Sequence, residues 1–182
     1  MKTKKSLWLL SIVLGGLLLF CARQDWAQPR LEKGGPIIAH AFAVEKGKYG
    51  YIWRIYIEAD DPGGKMMRIA SVVNETGVGW LPTDWVYLKP RYQKHLKGYL
   101  QWNTFSSKAP DLREWTQITL RISVLDKAGN ESNEVVFPFT FESGVKNQYS
   151  YKLPAPFDQE NLPRLGYLHI DLMSPTGRRG RG

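Results

Sequence analysis

The stretch from Trp115 to Phe141 constrains the fold most. Ile118, Leu120, Ile122 and Val124 alternate with Gln117, Thr119, Arg121 and Ser123. A period of two is the signature of a half-buried strand. The run Asp126-Lys127-Ala128-Gly129-Asn130 follows, built from residues that tolerate or favour turn geometry. Val135, Phe137, Phe139 and Phe141 then share one face of a second strand. Pro138 falls on the other face and lacks an N–H, which predicts an edge strand or a bulge. A hairpin of this kind indicates a β-sandwich.

The chain upstream supplies partners for it. Strands are predicted over Pro36–Val44, Tyr51–Glu58, Met66–Asn74, Asp84–Leu88 and Tyr99–Phe105. Tyr51, Trp53, Ile55 and Ile57 lie on one face of the second of these; Ile52, Arg54, Tyr56 and Glu58 lie on the other. Leu100 and Trp102 are expected to point inward. Asp60-Asp61-Pro62-Gly63-Gly64 reads as a turn, Gly47 to Gly50 as another, and Arg91 to Leu96 as one turn of helix. With the hairpin the count is seven strands. Trp53, Ile55, Leu120, Ile122 and Phe139 are expected to share one core.

The segment ITLRISVLDKAGNESN, Ile118 to Asn133, resembles the last strand pair of bacterial immunoglobulin-like and fibronectin type III-like modules. In those modules a strand ends in Asp-x-Ala-Gly-Asn-x-Ser before the final strand. The resemblance implies an all-β, seven-stranded sandwich of about 100 residues. Sandwiches of this kind host many unrelated roles, so it implies an architecture and no particular activity. The Cys–Trp–Cys pattern of antibody domains is absent.

Beyond the sandwich, which is expected over 36–145, the chain changes character. Residues 1–22 read as an export signal, with Lys2, Lys4 and Lys5 ahead of an apolar run from Leu7 to Phe20. Cleavage falls at 22, or as late as 27. Lipid attachment at Cys21 and retention as an uncleaved anchor are the alternatives. Residues 23–35 read as a flexible lead-in, 146–163 as an extended linker, and 175–182 as a disordered basic tail. Between them, 164–174 carries Leu168, Ile170 and Leu172 in alternation, which predicts an eighth strand. Such a strand must pair with an edge of the sandwich or with a partner chain.

Charge and motifs narrow the function. The chain has 25 Lys and Arg against 17 Asp and Glu. Six of the basic residues lie in the leader and tail, leaving the body near neutral, which speaks against nucleic acid as a partner. Cys21 is the single cysteine, so an intramolecular disulfide is excluded, as is a cysteine-based zinc site. His40, His95 and His169 have no ligand spacing. HExxH, GxSxG and phosphate-loop patterns are missing, and no catalytic triad is visible, which argues against an enzyme.

Two features remain as candidate sites. Trp80, Trp85, Tyr87 and Trp102 lie in an aromatic stretch interleaved with Lys89, Arg91, Lys94 and Lys97, and exposed rings can anchor a protein or stack on a sugar. Glu58, Asp60 and Asp61 close one strand, and Asp126 and Asn130 close another. In a sandwich these two turns can share one end, and convergent oxygens suit calcium. No other cofactor is expected. The expectation is an exported, non-catalytic binding or structural module of the bacterial cell envelope, periplasmic or extracellular. It would act through contacts with an envelope protein, with carbohydrate binding as the alternative. Membrane contact would come only through the N-terminal segment.

Overall fold

A computed structural model describes residues 34–105, 114–145 and 151–173. The export signal at 1–22, most of the lead-in and the tail at 175–182 lie outside the described residues. No helix among the described residues is long and apolar enough to cross a membrane.

Among the described residues ten strands form in chain order: β1 (Ile37–Phe42), β2 (Lys46–Gly47), β3 (Ile52–Asp60), β4 (Met66–Glu75), β5 (Gly79–Trp80), β6 (Asp84–Tyr87), β7 (His95–Asn103), β8 (Gln117–Asp126), β9 (Val135–Phe141) and β10 (Arg164–Leu168). The first sheet runs β1-β3-β7-β10. The second runs β2-β9-β8-β4-β5, with β6 also paired to β4. The chain thus changes sheets at β1–β2, β2–β3, β3–β4, β6–β7, β7–β8 and β9–β10. β1-β3-β7 faces β4-β8-β9, the arrangement of an immunoglobulin-like sandwich. The seven strands expected from the sequence are present. Two short strands and the extra C-terminal strand add to them.

Alternation explains what fills the space between the sheets. Trp53 pairs directly with Trp102, and Ile55 with Leu100, across β3 and β7. Ile118 pairs with Phe139, and Leu120 with Phe137, across β8 and β9. All eight side chains are buried in one cluster. Trp53 sits 4.5 Å from Phe139 and 6.0 Å from Trp102 between ring centroids. Its indole N–H donates to the Val44 carbonyl at 2.8 Å, so the polar edge is satisfied without water. Pro138 is accommodated because β9 carries only the two-residue β2 on its far side, paired at Thr140 and Phe141.

β7 starts earlier than the sequence suggests. Pro90–Tyr92 forms a 3-10 turn, not the expected helical turn reaching Leu96. The fixed φ of Pro90 suits that start. From His95 onward the backbone is held in a nine-residue ladder against β3.

The expected linker is also different where it is described. From Tyr151 to Pro163 the chain lies on the outer face of the first sheet. Phe157 is buried against Tyr56 and Tyr151 packs on Phe42. Tyr56, at an outward-facing position of β3, is therefore covered instead of wet.

β10 then pairs in parallel with β7 and also packs against β6, closing the open side of the sandwich. Two glycines permit this. A Cβ on Gly98 would meet the Pro163 carbonyl at 2.2 Å, and one on Gly166 would meet Val86 at 2.3 Å. After β10, the Trp102 indole donates to the Ile170 carbonyl at 3.3 Å, and the His169 N–H donates to Asp84 at 2.8 Å. Leu168, Ile170 and Leu172 are all buried.

Candidate functional site: an aromatic face on the second sheet

Three of the four aromatic residues singled out in the sequence come together. Trp80 on β5, and Trp85 and Tyr87 on β6, are 56%, 39% and 66% exposed. They flank β4 on the outer face of the second sheet. There Asn74 is registered with Trp80, Ala70 with Trp85, and Arg68 with Tyr87. The fourth, Trp102, is 1% exposed. It belongs to the core because it alternates in phase with Leu100 on β7, and it cannot serve as a surface platform.

Trp80 and Trp85 are each held under an arginine. The Arg68 guanidinium lies 4.0 Å from the Trp85 ring, and that of Arg121 lies 4.7 Å from the Trp80 ring. Such contacts contribute roughly 0.5–1 kcal/mol at exposed sites. They also fix rings that would otherwise sample rotamers. Arg121 makes an ion pair with Glu134 at 3.3 Å. Val72 and Val136 flank Arg121 in the ladder and complete an apolar floor. The arginines were not apparent in the sequence, where each reads as the polar half of a strand alternation. The β4–β6 register brings Arg68 to Trp85, and the β4–β5 and β4–β8 registers together bring Arg121 to Trp80.

The proposed calcium ligands do not converge. The two turns lie side by side, since the Lys127 N–H donates to the Lys65 carbonyl at 3.0 Å. Their oxygens, however, are turned inward. Asp61 accepts from the N–H groups of Gly63 and Lys65 at 2.8 and 2.6 Å. Asp126 accepts from the N–H groups of Ala128 and Asn130, both at 2.8 Å, and from the Asn130 side chain at 2.9 Å. Burial pushes the Asp126 carboxyl up, but these donors outweigh it and hold it below the usual carboxylate range. Glu58 and Asp60 lie on the outer face of the first sheet. Glu58 pairs with Lys97 at 3.7 Å, and Asp60 with His95 at 2.8 Å. Among the described residues no three His, Cys, Asp or Glu side chains gather as metal ligands. The turns are built by Asp side chains bonding their own backbone.

One further carboxylate stands out. Glu75, at the end of β4, is buried, and its Oε2 accepts the Met173 N–H at 2.8 Å while Oε1 has no partner among the described residues. Burial pushes its pKa up, and the Met173 hydrogen bond only partly opposes that.

No family model matches the chain, and no curated protein matches it. Among solved structures it is similar to the PKD domain of an M14-like peptidase from Thermoplasmatales archaeon SCGC AB-540-F20. The two are 18% identical, with 59% of this chain and 96% of that one covered and a TM-score of 0.40. It is also similar to the CARDB domain of the PF1109 protein from Pyrococcus furiosus, solved in complex with di-metal ions. That pair is 9% identical, with 65% of this chain and 98% of that one covered and a TM-score of 0.33.

Proposed function

We propose that this immunoglobulin-like sandwich is an exported, non-catalytic docking module of the bacterial cell envelope. It binds a protein through the outer face of its second sheet. The observation that carries this reading is the set Trp80, Trp85, Arg68 and Arg121: two exposed indoles, each fixed by a guanidinium. Tryptophan and arginine are the residue types that dominate binding energy at protein interfaces. Rings already held in place lose little side-chain entropy on docking. The export reading rests on the basic and apolar composition of residues 1–22. A sugar platform needs an open ring face, and at Trp85 one face is taken by the Arg68 guanidinium at 4.0 Å. The preference for protein over glycan rests on the pairing of tryptophan with arginine, the residue types enriched at protein interfaces.

The test uses the full chain immobilised beside a Trp80→Ala/Trp85→Ala variant. Envelope extract is passed over both, and both are applied to a glycan array. A protein retained by the first and lost from the second supports the reading. Glycan binding that disappears in the variant moves the face to carbohydrate recognition. Equal retention by both chains overturns the assignment of this face.

A further inference from the structure

The opposite side of the sandwich carries a second feature with different chemistry. Where residues 151–163 cross the first sheet they do not seal it. A cleft of about 290 Å³ remains, lined by Arg54, Tyr56, Tyr99, Leu153, Gln159, Asn161 and Leu162. Arg54 projects from the outward face of β3 and lies 5.1 Å from the Tyr99 ring, which orients its plane. Among the described residues Arg54 has no carboxylate in ion-pair reach, and its electrostatic neighbours are tyrosine hydroxyls. Burial disfavours its charge, but Tyr56, Tyr99 and Tyr151 outweigh that and push its pKa further up. The Tyr151 phenol is itself pushed far above its ordinary range by burial and by Tyr56 and Tyr51, so it stays neutral. The cleft therefore presents one cation beside the hydroxyls of Tyr56 and Tyr99. Asn161 has a φ of 62°, which asparagine tolerates better than most residues, and the turn it makes brings Gln159, Asn161 and Leu162 to the cleft.

We propose that this cleft binds a small organic carboxylate. The planar guanidinium fork matches a carboxylate through two parallel hydrogen bonds. Gln159 and Asn161 supply amide donors beside it, and Tyr56 and Tyr99 supply hydroxyls. Leu153, Leu162 and the Tyr99 ring give an apolar wall for the body of the acid. The volume is near the lower end for ligand pockets, about 300 Å³, which suits a single ring or a short chain. A phosphate dianion fits less well. Among the described residues the cleft has one cation, and the adjoining shallow depression over Leu153 carries Asp158 and Glu160 against the single cation Lys152. A second negative charge would go unmatched there.

The full chain, labelled with 15N, is titrated with benzoate, with its neutral relative benzamide, and with inorganic phosphate. Benzoate is expected to give saturable amide shifts at Arg54, Tyr99, Gln159 and Asn161. Benzamide is expected to bind about tenfold more weakly or worse. Arg54→Gln is expected to weaken benzoate roughly ten- to a hundredfold, the loss of a charged hydrogen-bonded pair. Lys127→Gln removes the same charge from the β8–β9 turn and is expected to leave benzoate binding unchanged. The comparison of benzoate with benzamide needs no variant, so it stands even if Arg54→Gln misfolds. Equal binding of the two, phosphate binding tighter than benzoate, or full affinity in Arg54→Gln each overturns the proposal.

Discussion

Asn133 grips both backbone groups of Ile38 across 95 residues of sequence. The Ile38 N–H donates to Asn133 Oδ1 at 2.8 Å, and Asn133 Nδ2 donates to the Ile38 carbonyl at 3.1 Å. One side-chain amide thus stands in for a neighbouring strand on β1, the end strand of the first sheet. Because Asn133 belongs to the β8–β9 connection, the pair also ties the two sheets together at that edge.

Asn133→Ala is expected to lower stability by about 1–3 kcal/mol, since it leaves the Ile38 groups without their partner. Asn133→Asp keeps an acceptor but loses the donor, and is expected to fall between Ala and wild type. Urea unfolding measures both. A wild-type midpoint for the alanine variant would show that the edge does not depend on this amide.

Trp53 and Trp80 are expected to behave oppositely on truncation. Trp53→Ala opens a hole beside Phe139 and Trp102 and strands the Val44 carbonyl, a loss of about 3–5 kcal/mol. Trp80→Ala removes only an exposed ring and its arginine contact, a change below about 1 kcal/mol. Thermal melts of the two variants separate core from surface. Similar losses would contradict the faces assigned to them.

Gly98→Ala is expected to loosen β10. Its new methyl group would collide with the Pro163 carbonyl, which is backbone and cannot rotate away. Overpacking of this kind costs typically 1–3 kcal/mol. The diagnostic is local: amide exchange over Arg164–Leu168 should quicken more than exchange in β8. Unchanged protection of β10 would mean that the strand does not rely on the close approach.

Asp126 and Glu75 give stability opposite slopes with pH. The Asp126 carboxyl is held down in the folded state, so its contribution is present above its ordinary value of 3.8 and is lost as pH falls through the lower folded value. Glu75 is pushed up, so the folded state holds its proton more tightly than the unfolded chain does. Its contribution is present below 4.5 and is lost as pH rises through the folded value. Glu75→Gln keeps an acceptor for Met173 and cannot ionise. It is expected to be more stable than wild type at pH 7, with the gain shrinking as pH falls toward 4.5. A gain that stays constant over that range would mean that ionisation of Glu75 is not the cause.

The sandwich was legible because alternation survives in the strands that matter. The faces of β3, β8 and β9 follow directly from Trp53, Ile55, Leu120, Ile122 and Phe139. The DKAGNESN segment reads as a turn, and its residues hold turn and edge together: Asp126 caps the turn, Ser132 accepts the Val124 N–H, and Asn133 holds Ile38. The site was less legible. Trp102 looks like its exposed relatives in sequence, and only its phase on β7 sends it inward. Arg68 acquires meaning through the β4–β6 register and Arg121 through Trp80, far earlier in the chain, and no local pattern encodes either pairing. The acidic turn residues share a type but not a role: Asp61 and Asp126 bond their own turns, whereas Glu58 and Asp60 pair with Lys97 and His95 on β7. Phe157 and Tyr151 lie among prolines and turn formers, so their packing on the first sheet carries no periodic signal.

The parallel pairing of β10 has a consequence for synthesis. A parallel neighbour cannot be supplied by a hairpin, so β7 waits for a segment made more than sixty residues later. While a nascent chain reaches only as far as Pro163, the β7 edge and the Val86 side of β6 are both open, with Leu96, Leu100 and Trp102 close behind them. That interval is the point at which ribosome-bound chains of this protein are most vulnerable to sticking to one another. Arrival of Leu165 and Leu168 ends it.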